Sequence, residues 1–257
     1  MFHNKYPAAW IFHANTCRTE LNTLQPHAAH LKPDGYKEYL EAEQYVLPEP
    51  SISPVPFIDL INQSFSCWRF KDQPLSLQEL GNILYAGYGM TGLMLLGEDE
   101  FISRPVPSGG GLYSLELYMI VQQVTGLNPG IYHYVFHPHL LEQVRQIELP
   151  RSLIRHLLME QPYAAAAPVI IVASSVLERS MKKYGDRGYR YILFEAGHVF
   201  QNMNLAAAAC NLGSLNLGGF FDHDMEKLLN IDPEEEIPLY AMALGIPDNE
   251  QARIPSM

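Results

Sequence analysis

Hydrophobic positions recur with helical spacing from residue 76 onward, and this is the most regular pattern in the chain. Ser76 and Glu79 have the spacing of a capping box, in which two side chains bond the free amides at a helix start. The apolar positions of one face follow at once: Leu77, Leu80, Ile83 and Leu84. The pattern predicts a helix that ends at Gly87 or Gly89.

Short apolar runs predict four buried strands, at residues 117–121, 130–136, 169–173 and 239–244. Residues 130–136 follow the turn signal Asn128-Pro129, so we expect them to pair antiparallel with 117–121. Residues 90–102 contain glycines and show no sustained period. We therefore expect a loop there.

Three further helices are expected. Pro150 is suited to a first helical turn and opens a helix through about residue 161. Residues 189–213 form a long, mostly apolar helix, and Asp222 or Asp224 caps a short helix through Leu229. Strands in the middle with helices around them predict an α+β domain with a single sheet covered by helices.

Residues 1–50 are rich in His, Pro and Tyr and lack periodicity, and residues 48–56 are dense in proline. We interpret residues 1–52 as an N-terminal arm and Pro-rich linker, possessing at most short helices, and residues 53–257 as the main domain.

The amino-acid composition excludes some classes of function. Of 257 residues, 47% are hydrophobic, enough for a sizeable core, and the net charge of −11 argues against a nucleic-acid partner. The three cysteines have no metal-ligand spacing and no signal peptide is visible, so we expect a reduced cytoplasmic location. Residues 191–212 carry too many polar groups for a membrane span.

The segment at residues 104–118 is the strongest candidate for chemistry. Arg104 and a Pro107-Ser108 turn precede three glycines, Gly109, Gly110 and Gly111. Glycines let backbone approach a flat or anionic ligand closely, since no Cβ intervenes. A glycine triplet alone is equally typical of a flexible loop, so its setting decides.

Two downstream segments supply that setting: residues 182–198, with Lys183-Tyr184, and residues 212–220, with Gly218-Gly219. In this order the three segments resemble the azoline dehydrogenases of the nitroreductase superfamily (SagB/ThcOx type). Residues 12–16 and the lead-in 36–50 are also similar to that family. The resemblance implies a nitroreductase-like α+β fold, with a mainly antiparallel sheet and an intertwined homodimer that shares two FMN sites.

The resemblance also implies the cofactor contacts. Pro107, Ser108, Gly109 and Gly110 would lie along the isoalloxazine ring or ribityl chain. The backbone N–H groups of Gly218 and Gly219 would point at the ring edge, which stabilises the reduced anion.

The phosphate ligands depart from the family pattern. The superfamily usually carries Arg-Ser-x-Arg-x-Phe, but here Phe65 and Trp68 occupy both arginine positions while Ser66 is kept. A phosphate favours guanidinium partners, so we expect Arg69, Arg104 or Arg253 to compensate.

Lys183 and Tyr184 match the family's catalytic pair. We expect Tyr184 to accept the proton from the ring carbon, with the Lys183 ammonium lowering the tyrosine's pKa, or the two roles to be exchanged. Without the resemblance the same residues indicate only a basic surface turn.

Other polar residues are open to two interpretations. Glu195 and His198 share a face of the long helix, as a core or dimer-interface pair or as ligand contacts, and Gln201 and Asn202 are equally open. A metal site at His133, His137 and His139 is disfavoured because no acidic or thiolate partner completes it.

The resemblance thus implies an FMN-dependent oxidase or dehydrogenase of a peptide or small heterocycle, and it leaves open a cyclodehydratase or carrier-domain partner. Two alternatives stay open. One is an NAD(P)H-dependent nitro or quinone reductase of the same fold. The other is a scaffold without catalysis, motivated by Phe65 and Trp68.

Overall fold

The computed structural model describes residues 5–17, 35–97 and 99–248. Its centre is a seven-stranded sheet in the order β1-β6-β5-β4-β7-β9-β8, and every neighbouring pair is antiparallel. The strands are β1 (Glu43–Val46), β4 (Leu115–Val121), β5 (Gly130–Val135), β6 (Leu140–Gln146), β7 (Val169–Val176), β8 (Gly213–Leu217) and β9 (Glu236–Gly245). The predicted α+β class and antiparallel sheet are confirmed.

Helices cover the sheet. They are α1 (Pro7–Thr16), α2 (Phe57–Gln63), α3 (Leu77–Tyr88), α4 (Arg151–Leu157), α5 (Leu177–Tyr184), α6 (Arg187–Ala209) and α7 (Asp222–Leu229). The predicted capping box is present, because the Glu79 amide donates to Ser76 Oγ and the Ser76 amide donates to the Glu79 carboxylate. Helix α3 ends at Gly89, as one of the two predictions had it.

Two cores lie on opposite faces of the sheet, because successive side chains of a strand point to opposite sides. Leu117 and Met119 of β4 face α3 and α6, whereas Tyr118 and Ile120 face α4 and α7. Helices cover both faces of the sheet, which explains why the sequence of β4 is apolar at almost every position.

Several predicted elements were wrong in detail. Residues 90–102, expected as a loop, contain a hairpin of β2 (Gly92–Leu96) and β3 (Asp99–Ser103). Strands β1, β6 and β8 were not predicted, because their mixed composition hides the period. Helix α4 ends at Leu157 rather than near residue 161, and α7 begins after Phe221 without a side-chain cap from either aspartate.

Residues 47–56 contain no helix or strand, as expected of the Pro-rich linker. The segment before it contributes β1, which pairs with β6 at the edge of the sheet. The domain boundary at residue 52 stays a prediction. Within the described residues, no helix is long and apolar enough to cross a membrane.

Candidate functional site

The three glycines form a tight 3₁₀ turn between Ser108 and Leu112. Gly110 and Gly111 have φ of 69° and 67°, a left-handed conformation that side chains with a β-carbon adopt at a cost. Gly110 is also crowded, since a β-carbon there would stand 2.5 Å from Tyr184 Oη and 2.9 Å from Lys183 Nζ. Gly111 has open space instead. Backbone shape and close approach therefore both require glycine at position 110.

Lys183 and Tyr184 occupy the last turn of α5, so the surface turn considered from the sequence is a helix. Gly185 ends the helix with a φ of 56°. The Lys183 ammonium lies 5.6 Å from the centre of the Tyr184 ring, and that ring meets Tyr191 of α6 edge-on at 4.8 Å. The fold thus brings the predicted catalytic pair onto the predicted glycine turn, across 73 residues of sequence.

The pKa of Tyr184 does not move in the expected direction. Burial raises it above its ordinary value, and the neighbouring Tyr191 adds to the rise. The predicted lowering by Lys183 is therefore not found in this structure, and Tyr184 stays protonated at neutral pH.

Ser108 is hydrogen-bonded to the long helix α6. Its hydroxyl donates to the carboxylate of Glu195 and accepts from the Tyr113 amide at 2.9 Å. Tyr88 of α3 donates a second hydrogen bond to the same carboxylate. Glu195 is 2% exposed, whereas His198 is exposed, so the expected Glu195–His198 pair does not form. Glu195 is a satisfied core group.

Arg104 lies in an aromatic cage instead of on a ligand-accessible surface. Its guanidinium carbon is 3.7 to 4.9 Å from the centres of four rings: Phe136, Tyr88, Tyr113 and Tyr36. The residue is 7% exposed, and its Nη1 is 3.5 Å from the carbonyl oxygen of Tyr88. This placement opposes the phosphate contact that the sequence suggested for Arg104.

Ser66 and Gly218-Gly219 belong to a second group of contacts. Ser66 forms a parallel bridge with Ser214 of β8, and the exposed Arg69 is held through its carbonyl oxygen by the Asp248 amide at 3.0 Å. Gly218 follows β8, and a β-carbon there would meet only the Tyr240 ring, at 4.0 Å. Arg253 lies outside the described residues.

The second group also lies near a buried hydrogen-bond acceptor. Asn216 Oδ1, two residues before Gly218, is buried and has no hydrogen-bond partner within the described chain. A buried orphan acceptor is unfavourable unless a ligand supplies a donor. Together with the open space over Gly111 and Gly218, it fits a ring that carries N–H groups, as a flavin does.

The two groups lie on opposite sides of α6. Glu195 bonds Ser108 in the first group, and Asn204 accepts a hydrogen bond of 2.9 Å from Ser214 in the second. Nine residues separate them, about two and a half helical turns and about 13 Å. Asn202, on the Glu195 side, donates to the Pro105 carbonyl at 3.1 Å. Helix α6 therefore separates the two groups of contacts, which we call the candidate half-sites.

A comparison with protein-family models decides the identity of the fold. The model of the nitroreductase family matches residues 61–246. The chain belongs to the nitroreductase family.

Relatives extend this assignment. A Methanocaldococcus jannaschii protein, MJ1384, whose name refers it to the nitroreductases, is 35% identical over 76% of this chain and 93% of its own length. The trifolitoxin-processing protein TfxB of Rhizobium leguminosarum bv. trifolii is 25% identical over 78% of this chain. The alignment covers 56% of TfxB, so this chain spans little more than half of that relative.

A solved structure agrees with the assignment. The Escherichia coli microcin synthetase complex McbBCD, with truncated pro-MccB17 bound, contains a chain with a TM-score of 0.63 and 25% identity. The match covers 94% of the present chain and 92% of that chain.

This nitroreductase-family chain also contains a buried charged network that the sequence did not reveal. His133 on β5 lies 2.9 Å from Glu116 on β4 and 3.1 Å from Glu142 on β6. Acidic partners for a histidine therefore exist, contrary to the prediction, but no group of three or more metal-ligating residues is found in the described ranges. The signal that could have found them is a glutamate inside an apolar strand, as at position 116.

The network extends to the N-terminal segment and to helix α5, which carries Lys183 and Tyr184. Arg179 of α5 is 2.6 Å from Glu116, and Lys37 is 2.6 Å from Glu236. The Tyr39 amide donates to Glu142 at 3.0 Å. Four strands and α5 are thus joined through charge, which fixes the position of the helix carrying Lys183 and Tyr184.

Helix α1 is tied to the start of α6. Arg187 donates to the Thr16 carbonyl at 3.0 Å, and Arg190 donates to Thr16 Oγ1 at 2.7 Å and to the His13 carbonyl at 3.0 Å. Cations at a helix C-terminus satisfy its free carbonyls and its dipole. Residues 12–16, which resemble the family's N-terminal segment, thus include the two residues, His13 and Thr16, that anchor α1 to α6.

Proposed function

We propose that this protein is an FMN-dependent oxidoreductase of the azoline dehydrogenase type, which oxidises a thiazoline or oxazoline ring of peptide origin. The observation that carries the proposal is the convergence of Lys183 and Tyr184 on Gly110. In the azoline dehydrogenases that this chain resembles, a Lys-Tyr pair at this place is needed for ring oxidation. The similarity to TfxB and to a chain of McbBCD, both named for peptide-antibiotic production, supports a peptide-derived substrate.

The cofactor would be held by both half-sites. Pro107, Ser108, Gly109 and Gly110 would contact it from one side, and Ser66, Arg69, Gly218 and Gly219 from the other, with Arg253 a further candidate for the phosphate. FMN supplies the acceptor for the hydride that leaves the ring. The Asn216 acceptor and the open space beside Gly218 support this assignment.

The chain's own part in the reaction is the transfer of the ring proton. Because burial raises the pKa of Tyr184, its hydroxyl enters the reaction as a hydrogen-bond donor. The exchanged assignment, in which the Lys183 side chain accepts the proton, agrees better with that direction than the first one. Tyr184 then orients the substrate beside the amine.

A second copy of the chain would complete the site. Between the two half-sites α6 presents an exposed stripe that includes Leu193, Phe194, Gly197 and His198. Phe194 is 55% exposed, and a β-carbon on Gly197 would meet open space. An apolar stripe of this kind marks an interaction surface, and a homodimer packed on it would bring one copy's glycine turn toward the other's β8.

The second candidate function is an NAD(P)H-dependent nitro or quinone reductase. The 35% identity to MJ1384 favours it, because that name refers to the nitroreductases. The first candidate would act with a cyclodehydratase or carrier-domain partner, and the similarity to a chain of the McbBCD synthetase complex supports a function within a multi-protein assembly. A scaffold role without catalysis follows only if the exposed Trp68 and its neighbour Phe65 prevent cofactor binding.

The test begins with the absorbance spectrum of purified protein after incubation with FMN and removal of the excess. The protein is then given a thiazoline-containing peptide in air, and the loss of two hydrogens is followed by mass spectrometry. We expect flavin bands, an azole product, and loss of product in Lys183→Ala. Lys182→Ala is the matched control, since Lys182 is exposed and pairs with Glu178 at 3.3 Å.

Three results would change the proposal. A colourless protein that binds no FMN would overturn it. Turnover of NADPH with a nitroaromatic, without azole formation, would favour the reductase. Unchanged azole formation by a complex that contains Lys183→Ala would favour the scaffold.

A further inference from the structure

Glu195 connects both ends of the glycine turn. On the N-terminal side, Ser108 donates to its carboxylate and accepts from the Tyr113 amide at 2.9 Å. On the C-terminal side, Tyr88 donates to the same carboxylate and accepts from the Leu115 amide at 3.2 Å. Residues 108 and 113–115 bracket Gly109–Gly111, so one carboxyl group closes the base of the turn.

We propose that Glu195 is a positioning residue, which holds the Gly109–Gly111 turn in the shape that the cofactor and the Lys183-Tyr184 pair require. The proposal rests on the function proposed above and adds a residue that does not touch the reacting atoms. It also assigns the single proton of the Ser108 hydroxyl to Glu195. Ser108 would then contact the cofactor through its backbone or as an acceptor, and not as a hydroxyl donor.

Burial and charge agree with this role. Burial raises the pKa of Glu195, while the Ser108 and Tyr88 hydrogen bonds and the Arg104 charge oppose the rise. An apolar residue at this core position would leave the Ser108 and Tyr88 hydroxyls without their acceptor, which costs stability. Only a residue with acceptor oxygens can bond the hydroxyl donors of α3 and of the turn at the same time. The carboxylate therefore fixes the position of the turn relative to α3.

The turn's position against the catalytic pair depends on this support. A β-carbon on Gly110 would be 2.5 Å from Tyr184 Oη, so little movement of the turn toward α5 is tolerated. Movement away from α5 would open the contact that carries the proposed function. Releasing Ser108 from Glu195 permits that movement, because the Ser108 hydroxyl loses its acceptor on α6.

The first experiment needs no cofactor. Amide hydrogen exchange at residues 109–113 is measured in the wild type and in Glu195→Leu, Ser108→Ala and the double variant. We expect exchange to accelerate about ten-fold or more in each single variant. In the double variant the acceleration should be smaller than the product of the two single effects, since both changes break the Ser108–Glu195 hydrogen bond and each removes only one further contact, that of Tyr88 or of the Tyr113 amide. Ile131→Ala, in the core on the other face of the sheet, controls for general loss of stability.

The second experiment measures FMN affinity by fluorescence quenching in the same proteins. We expect about ten-fold weaker binding in Glu195→Leu, partial recovery in Glu195→Gln, which keeps one acceptor oxygen, and an affinity near the wild type's in Ile131→Ala. Wild-type-like exchange and FMN affinity in Glu195→Leu, or additive effects in the double variant, would overturn the inference. Failure of the wild type to bind FMN would instead refute the proposed function, and the exchange data would still decide the role of Glu195.

Discussion

The guanidinium group of Arg179 lies 2.6 Å from the carboxylate of Glu116, and this ion pair joins the helix of the proposed catalytic pair to the central strand β4. Both side chains are nearly buried, at 10% and 7% exposure. Arg179 stands one helical turn before Lys183. The charged network therefore sets where the candidate chemistry can occur.

Arg179→Ala should lower the free energy of unfolding by about 3–5 kcal/mol, because it removes one of the two partners, Arg179 and His133, that balance the buried Glu116 carboxylate. Urea denaturation measures the change. Arg151→Ala is the control, since it breaks an exposed pair with Asp72 and should cost less than about 1 kcal/mol. Equal effects of the two substitutions would contradict a structural role for the buried pair.

Acid should weaken the fold through Glu116. Burial would raise the pKa of this carboxyl, but His133 and Arg179 outweigh burial and lower it to about 2. A lowered pKa gives stability that is present above the ordinary glutamate range and is lost as pH falls from about 4.5 toward 2. Unfolding free energy measured against pH should decline over that window. A flat profile there would show that Glu116 is not paired in solution.

Alkali should weaken the same network through His133. Burial would lower the pKa of this imidazole, but Glu116 and Glu142 outweigh it and raise the pKa above the ordinary histidine value. Stability from a raised pKa is complete below about pH 6.5 and is lost as pH rises through the folded value. His133→Gln should remove this alkaline loss. If the variant keeps the wild-type slope above pH 6.5, another group is responsible.

Gly110→Ala and Gly111→Ala should separate backbone strain from crowding. Both positions have positive φ, so both variants should lose about 1–2 kcal/mol of stability. A methyl group at 110 would also displace Tyr184 and Lys183, whereas position 111 is open. We expect azoline oxidation to fall at least about ten-fold more in the first variant. Matching activities would mean that the pair does not act beside Gly110.

Arg104→Lys should lower stability by about 1–3 kcal/mol while leaving FMN affinity unchanged. A lysine ammonium cannot stack its plane against four aromatic rings as the guanidinium does. Thermal unfolding and fluorescence quenching report the two quantities separately. Weaker FMN binding at unaltered stability would restore Arg104 as a phosphate ligand.

Phe194→Glu should prevent homodimer formation, because it places a charge in the middle of the exposed α6 stripe. Sedimentation velocity distinguishes the two states. Leu153→Glu replaces a comparably exposed apolar residue of α4 and should leave the dimer intact. A wild type that sediments as a monomer would refute the shared site.

Local signals predicted elements wherever one period dominates. The capping box at Ser76 and Glu79 depends on residues three apart, and the long helix was found to within a few residues of its bounds, Arg187–Ala209. Strand β6, the inner neighbour of the edge strand β1, mixes apolar, charged and amide side chains without a clear period, and it was missed. The hairpin β2–β3 was missed because its glycines resemble those of a loop.

The sequence by itself determined the α+β class, the four main strands and the glycine turn, since caps, periods and positive-φ residues act over a few neighbouring positions. The family resemblance added the expectation that Lys183 and Tyr184 act as a pair. Only the tertiary structure decided that Arg104 is caged, that Glu195 supports Ser108, and that His133 lies between two carboxylates. These contacts join residues far apart in the chain, so they depend on sheet register and on the rotation of α6, which no local pattern encodes.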